Sequence, residues 1–145
     1  MKISQILESK GRVVRCIGPD ETVLAAIQLM SQHKIGAVMV TEGDRVLGIV
    51  TERDCLHATA ADERGFASRR ARELMTTDIV YAEPTDDLAY VIDAMSRHRC
   101  RHLPVLEGGR LAGMISMRDA IRELLQETAT ELKFLRAYLE GPSGA

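Results

Sequence analysis

Short apolar runs, amphipathic stretches and turn signals follow one another along this chain in a fixed order, and that order occurs twice. Val13-Val14-Arg15-Cys16-Ile17 and Ile79-Val80-Tyr81-Ala82 are brief apolar runs of strand type. Pro19-Asp20-Glu21 and Pro84-Thr85-Asp86 then open helices. Their apolar faces fall at helical spacing on Val23, Ala26, Ile27 and Met30, and on Leu88, Val91, Ile92 and Met95. Next come strands at 37–41 and 103–106 and turns at Glu42-Gly43-Asp44 and Glu107-Gly108-Gly109. Returning strands follow at 46–50 and 111–115, each leading into another helical pattern. The pattern predicts two β-α-β-β-α units.

Superposing Pro19 to Leu56 on Pro84 to Ile121, at a constant offset of 65 residues and without a gap, gives identity at 12 of 38 positions. Average composition gives roughly two or three. The chain is therefore an internal duplication. Both copies close on the same motif, Gly48-Ile49-Val50-Thr51-Glu52-Arg53-Asp54 and Gly113-Met114-Ile115-Ser116-Met117-Arg118-Asp119: glycine, two apolar residues, a hydroxyl, two further positions and an aspartate.

Two readings of this motif stand together. Thr51 and Ser116 sit where a strand gives way to a helix, so they suit N-caps, with Asp54 and Asp119 reaching back as in a capping box. The same turn also exposes amides, a hydroxyl and one carboxylate. Amides at the positive end of a helix suit a phosphate or sugar oxygen. A carboxylate accepts two hydroxyl donors at once and so suits a vicinal diol. Together these groups describe a ribonucleotide pocket.

Between the copies, 58–73 is polar and rich in arginine (Arg64, Arg69, Arg70, Arg72), which reads as a solvated face more than a partner site. Ser68 is placed to cap a short helix ending near Met75. After Ser116 the helical pattern runs on to about Tyr138. Ile121, Leu125, Thr128, Leu132, Leu135 and Leu139 alternate steps of four and three, a heptad-like seam that predicts self-association. The other use of this face is docking on Ile3, Ile6 and Leu7 of the same chain. Gly141-Pro142 marks the stop.

Composition narrows the function. A chain of 145 residues, 46% hydrophobic and 28% charged, supports one compact unit with a substantial core. A net charge of -2 offers no global positive field for nucleic acid, and 3% aromatic residues without Trp offer no base-stacking platform, so an adenine pocket here has to be aliphatic. No apolar run reaches the length of a membrane span and the N-terminus has no apolar h-region. Cys16, Cys55 and Cys100 are odd in number and show no CxxC spacing, which fits reduced thiols and a cytoplasmic setting.

The doubled motif, together with Arg101-His102-Leu103-Pro104-Val105 in the second copy, resembles a tandem pair of cystathionine β-synthase (CBS) domains, the Bateman module. The resemblance runs from about Ile3 to Leu125. It implies an α/β (α+β) fold of two β-α-β-β-α CBS repeats about a pseudo-twofold axis, plus a long C-terminal helix. The expected division is repeat 1 at 1–60, linker at 61–74, repeat 2 at 75–125 and a C-terminal helix and tail at 126–145.

The resemblance further implies two clefts for an adenosine ligand: AMP, ADP, ATP, NAD(H) or S-adenosylmethionine. The aspartate would hold the ribose hydroxyls and the Ser or Thr would lie near ribose or phosphate. Carried over by position, one cleft holds Thr51, Arg53 and Asp54 with Thr76, Thr77, Ile79, Arg101 and His102 of the second copy. The other holds Ser116, Arg118 and Asp119 with Lys10, Gly11, Arg12, Val14, Gly36 and Ala37. Arg101 and His102 would neutralise phosphate in the first, Lys10 and Arg12 in the second. The first copy departs from the family pattern in having Met39 where the second has Pro104.

Other chemistries find little support. His98, Cys100 and His102 lack the second ligand pair of a zinc site, and His98 falls in a last helical turn, where a cation is ordinary. There is no nucleophile-base-orienter set, G-x-G-x-x-G fingerprint or P-loop spacing. The expectation is a stand-alone regulatory sensor of adenine nucleotides, without catalysis or metal, acting through a homodimer or an unidentified regulated partner and contacting neither nucleic acid nor membrane. The alternative is a structural dimerisation module whose clefts are vestigial.

Overall fold

The computed structural model describes residues 1–141. Its elements run α1 (Ile3–Lys10), β1 (Cys16–Ile17), α2 (Val23–His33), β2 (Ala37–Glu42), β3 (Arg45–Thr51), α3 (Glu52–Ala61), α4 (Ala71–Leu74), α5 (Leu88–His98), β4 (His102–Glu107), β5 (Arg110–Ser116) and α6 (Met117–Glu140). The first sheet has the order β1-β2-β3, β1 parallel and β3 antiparallel to β2; the second is the antiparallel pair β4-β5.

The duplication reaches into backbone detail. The β2-β3 register, Ala37 opposite Thr51, recurs as His102 opposite Ser116, and both ladders shift register at the same place, Val40/Thr41 and Val105/Leu106. Gly43 and Gly108 turn both hairpins at φ 59°, a conformation that disfavours a side chain. Lys34 and Arg99 end α2 and α5 in the left-handed region, at φ 54° and 52°. Every one of these pairs is 65 residues apart.

The first strand of each copy is shorter than its apolar run predicts. Only Cys16–Ile17 joins a ladder in the first, and in the second only Ala82 bridges to Val105. The reason lies in the packing: Val14 and Ile79 join Ala37, Met39, Val46, Ile49, Leu111 and Met114 in an apolar cluster between the repeats. Val14/Ile79, Val46/Leu111 and Ile49/Met114 are equivalent pairs, so the cluster lies along the pseudo-twofold axis. The helices also start later than the prolines suggest. Pro19 and Pro84 lie in turns, and α2 begins at Val23 behind Thr22, whose hydroxyl accepts from the Ala25 amide at 3.1 Å.

The two repeats exchange their leading helices. Ile3, Ile6 and Leu7 of α1 lie fully buried with Leu88, Val91, Met95, Leu103 and Ile115, in the core of the second repeat. Ala71, Leu74 and Met75 pack instead on Val23, Ala26, Met30, Val38 and Val50 of the first. Backbone bonds secure both exchanges: Ile3 N–H donates to Asp86 O and Leu88 N–H to Met1 O, while Val23 N–H donates to Arg69 O and Ala71 N–H to Glu21 O, all at 2.8–2.9 Å. Gly113 permits the closest of these contacts, since a Cβ there would meet the Leu7 side chain at 2.6 Å.

The linker arginines serve this docking. Arg72 pairs with Asp20 at 2.9 Å and the Arg70 guanidinium donates to the Asp20 carbonyl at 2.8 Å. Ser68 does not cap α4 as its sequence position suggested; it ends a short 3-10 turn (Phe66–Ser68), its hydroxyl donating to Gly65 O, and the cap position falls to Arg70, whose amide donates to Glu73.

The distal half of α6 stands apart from both cores. Leu125, Leu135 and Leu139 are 65%, 54% and 73% exposed. Ile3, Ile6 and Leu7 are already enclosed by the second repeat, so they offer the tail no docking surface. The helix ends at Glu140 with Gly141 at φ 67°, and Pro142 lies outside the described residues.

Candidate functional site

The ends of β3 and β5 bring the two motifs to equivalent helix starts. At each, the hydroxyl and the aspartate make a reciprocal cap. Thr51 Oγ1 accepts from the Asp54 amide at 3.3 Å, and Asp54 Oδ2 accepts from the Thr51 amide and hydroxyl at 2.8 and 3.0 Å. Ser116 and Asp119 repeat the arrangement at 3.1, 2.9 and 2.8 Å. The cap uses one carboxylate oxygen of each aspartate and leaves the other, Oδ1, outside it.

Beyond this shared cap the two aspartates differ. Asp54 is half-buried, whereas Asp119 is only 7% exposed and lies between two cations. Lys10, the last residue of α1, places Nζ 2.5 Å from Asp119 Oδ2 and 2.5 Å from the Met114 carbonyl. Arg122, one turn along α6, donates to Oδ1 at 3.2 Å. Burial raises the Asp119 pKa, but the bonds from Lys10 and from the Ser116 amide and hydroxyl outweigh it and hold the carboxyl below the usual range. The exchange of α1 onto the second repeat is what delivers Lys10 here.

Asp119 opens onto a cavity of about 1710 Å³. Val14, Ile27, Met30, Ile35, Ala37, Met114 and Met117 give it an apolar wall, and no Phe or Tyr is among its lining residues. Six cationic side chains (Lys10, Arg15, Lys34, Arg101, Arg118, Arg122) line it against two carboxylates, Glu52 and Asp119. The protein is net acidic, so this is a local concentration of positive charge facing a space large enough for a nucleotide.

His102 reaches into the same space from the start of β4, close over Gly36, where a Cβ would meet its ring at 2.8 Å and also the Glu52 carboxylate. Burial pushes its imidazole below the ordinary value. Glu52 and, more weakly, Asp119 oppose this, while Lys10 and Arg101 add to it. Of the two residues it is therefore Arg101 that carries positive charge into the cavity.

Lys10, Val14, Gly36, Ala37, Ser116, Arg118 and Asp119, which the family resemblance carried over to one cleft, line one cavity. Arg101 and His102, expected beside Asp54, line the Asp119 cavity too: they are the axial equivalents of Gly36 and Ala37, and residues near a twofold axis face both sides of it. Gly11 and Arg12 do not line it; Gly11 ends α1 at φ 104° and Arg12 is exposed. Thr51, Arg53, Asp54, Thr76, Thr77 and Ile79 lie outside it as well. Thr76 is engaged with β3, exchanging backbone bonds with Ile49 at 2.9 and 3.1 Å, and Ile79 belongs to the axial cluster. Arg15, Lys34, Glu52 and Arg122 line the cavity without having been singled out from the sequence. Arg122 had an available signal, its position three residues after Asp119 on a helix.

Residues 9–61 and 71–126 each match the CBS domain family model, so the chain belongs to the CBS domain family and contains a pair of such domains. It is 32% identical over 149 aligned residues to the CBS domain-containing protein CBSX3, mitochondrial, of Arabidopsis thaliana, covering 96% of this chain and 72% of that protein. The crystal structure of a CBS-domain protein from Agrobacterium tumefaciens superposes with a TM-score of 0.82 at 36% identity, covering 85% of this chain and 98% of that one. The CBS domain pair of protein MJ0100, solved in complex with 5-methylthioadenosine and S-adenosyl-L-methionine, shares the fold with a TM-score of 0.76 at 19% identity, over 88% and 98% of the two chains.

Proposed function

We propose that this CBS pair is a regulatory sensor of adenine nucleotides whose principal site is the Asp119 cavity. The observation behind the reading is the pairing, in one cavity, of a buried carboxylate at a helix start with a wall of aliphatic side chains and an excess of cations. Asp119 takes the ribose diol, with Ser116 nearby. Val14, Ile35, Ala37 and Met114 enclose the adenine, and Lys10, Arg101 and Arg118 meet phosphate. The adenosine ligands of the MJ0100 pair support a nucleoside in such a cleft. The excess of cations here favours AMP, ADP, ATP or NAD(H) over the positively charged S-adenosylmethionine. Asp54, with Thr51, Arg53, Thr76 and Thr77, is proposed as the second, weaker site. The three free thiols support a reducing, cytoplasmic compartment.

Among the described residues, no helix is long and apolar enough to cross a membrane. The exposed α6 seam supports transmission through a homodimer, because a row of leucines at heptad spacing is stabilised by a second such row. Removing residues after Leu125 is expected to lower the mass measured by light scattering to that of a monomer; an unchanged mass contradicts the dimer reading.

The formed caps at Thr51 and Ser116 favour a second reading, in which the aspartates serve only the helix starts and the clefts are vestigial. Thermal unfolding with a small adenylate panel separates the two. A ligand at 100 times its dissociation constant adds about 2.7 kcal/mol, or roughly 5–10 °C for a chain of this size. A flat panel supports the structural module.

A further inference from the structure

Lys10 and Asp119 hold each other inside the proposed site. Oδ2 of Asp119 already accepts from three donors: the Ser116 amide, the Ser116 hydroxyl and the Lys10 ammonium. Oδ1 faces Arg122. A carboxylate offers about four acceptor positions, so little of Asp119 is left for a sugar. A diol that binds it well has to displace the ammonium. That ammonium keeps the Met114 carbonyl but loses its carboxylate partner, in a cavity lined by Arg101, Arg118 and Arg122, where like charges repel it. A neutral nucleoside offers it nothing in return, whereas a nucleotide brings a phosphate to which it can turn. The first repeat supplies the contrast. The residue equivalent to Lys10 is Met75, and among the described residues Asp54 has no ion pair.

We infer that Lys10 is the specificity-determining residue of the Asp119 site: its ammonium blocks the carboxylate until an anionic ligand draws it away, so the site selects phosphorylated nucleosides over unphosphorylated ones. The inference rests on the proposed role of Asp119 as diol acceptor. It adds that the Lys10–Asp119 contact is an inhibitory one, which ligand exchanges for a phosphate contact.

Calorimetric titration of the full chain with adenosine and with AMP tests it, using wild type, Lys10→Met and Lys10→Arg. Lys10→Met copies the side chain of the first repeat, and urea unfolding checks that it remains folded. Wild type is expected to prefer AMP by about 100-fold, the effect of one or two charge-assisted hydrogen bonds. Lys10→Met is expected to narrow that preference by about tenfold or more, with adenosine binding more tightly than to wild type, and Lys10→Arg to restore most of it. A preference unchanged in Lys10→Met, or one narrowed only by loss of AMP affinity, overturns the gate while leaving the sensor reading intact. Failure of AMP to bind wild type overturns both. A measurement on wild type alone gives an independent answer: inorganic phosphate, added at constant ionic strength, is expected to tighten adenosine binding, and an unchanged or weakened adenosine affinity overturns the gate.

Discussion

Asp119→Ala is expected to weaken adenylate binding on the order of 100-fold, the largest functional effect of any single change in this chain. The carboxylate sits buried at the start of α6, where the proposed site places both hydroxyls of a ribose, and charge-assisted bonds of this kind contribute roughly 1.5–3 kcal/mol. The variant also loses a helix cap, which costs about 1 kcal/mol of stability. Asp54→Ala is expected to show a similar stability loss with a smaller effect on affinity, because Asp54 lies outside the main cavity. Isothermal titration and urea unfolding of both variants separate the two contributions; loss of stability with affinity intact marks the aspartates as caps alone. The acid limb carries a further signature. Because the folded-state pKa of Asp119 is lowered, its stabilising contribution is present above the unfolded value near 3.9 and disappears as pH falls through the lower folded value. Asp119→Asn is therefore expected to flatten the fall in stability below about pH 4.

Leu7→Ala is expected to carry the largest cost in stability, about 3 kcal/mol, or roughly 6–12 °C in unfolding temperature. Leu7 is fully buried and packs directly over Gly113, where the missing Cβ admits its side chain. Truncation leaves a cavity between α1 and β5 that neither element can close, since α1 is also held by backbone bonds to Asp86 and Pro84. The loss bears on the second repeat, although residue 7 precedes the first in sequence. It is also expected to reach the proposed ligand site, because α1 ends at Lys10. Differential scanning calorimetry checks the stability, and a loss below about 1 kcal/mol contradicts the exchanged packing.

Much of the fold was legible in the residues because it is written twice. The 65-residue offset located both hairpins, both helical faces and both strand-to-helix turns, and the periodicities of Val23 to Met30 and Leu88 to Met95 match the buried faces of α2 and α5. The shortened first strands were not legible, because Val14 and Ile79 look like strand residues while their burial comes from the partner repeat. The exchange of α1 and α4 was hidden for the same reason: an apolar face on a short helix signals burial but not which surface covers it. In the site, local groups such as Thr51 with Asp54 and Ser116 with Asp119 could be read from spacing alone. The meeting of Lys10 with Asp119, 109 positions away in sequence, depends on the exchange and was reached only through the family resemblance. So does the inequality of the two aspartates, which their equivalent places in the two motifs conceal.

Electron density from crystals grown with AMP tests the central claim most directly. The account predicts a nucleotide in the Asp119 cavity, its ribose hydroxyls on the Asp119 carboxylate and the Lys10 ammonium turned from that carboxylate to the phosphate. Density showing only water there, with Asp119 still bound to Ser116 and Lys10, contradicts it.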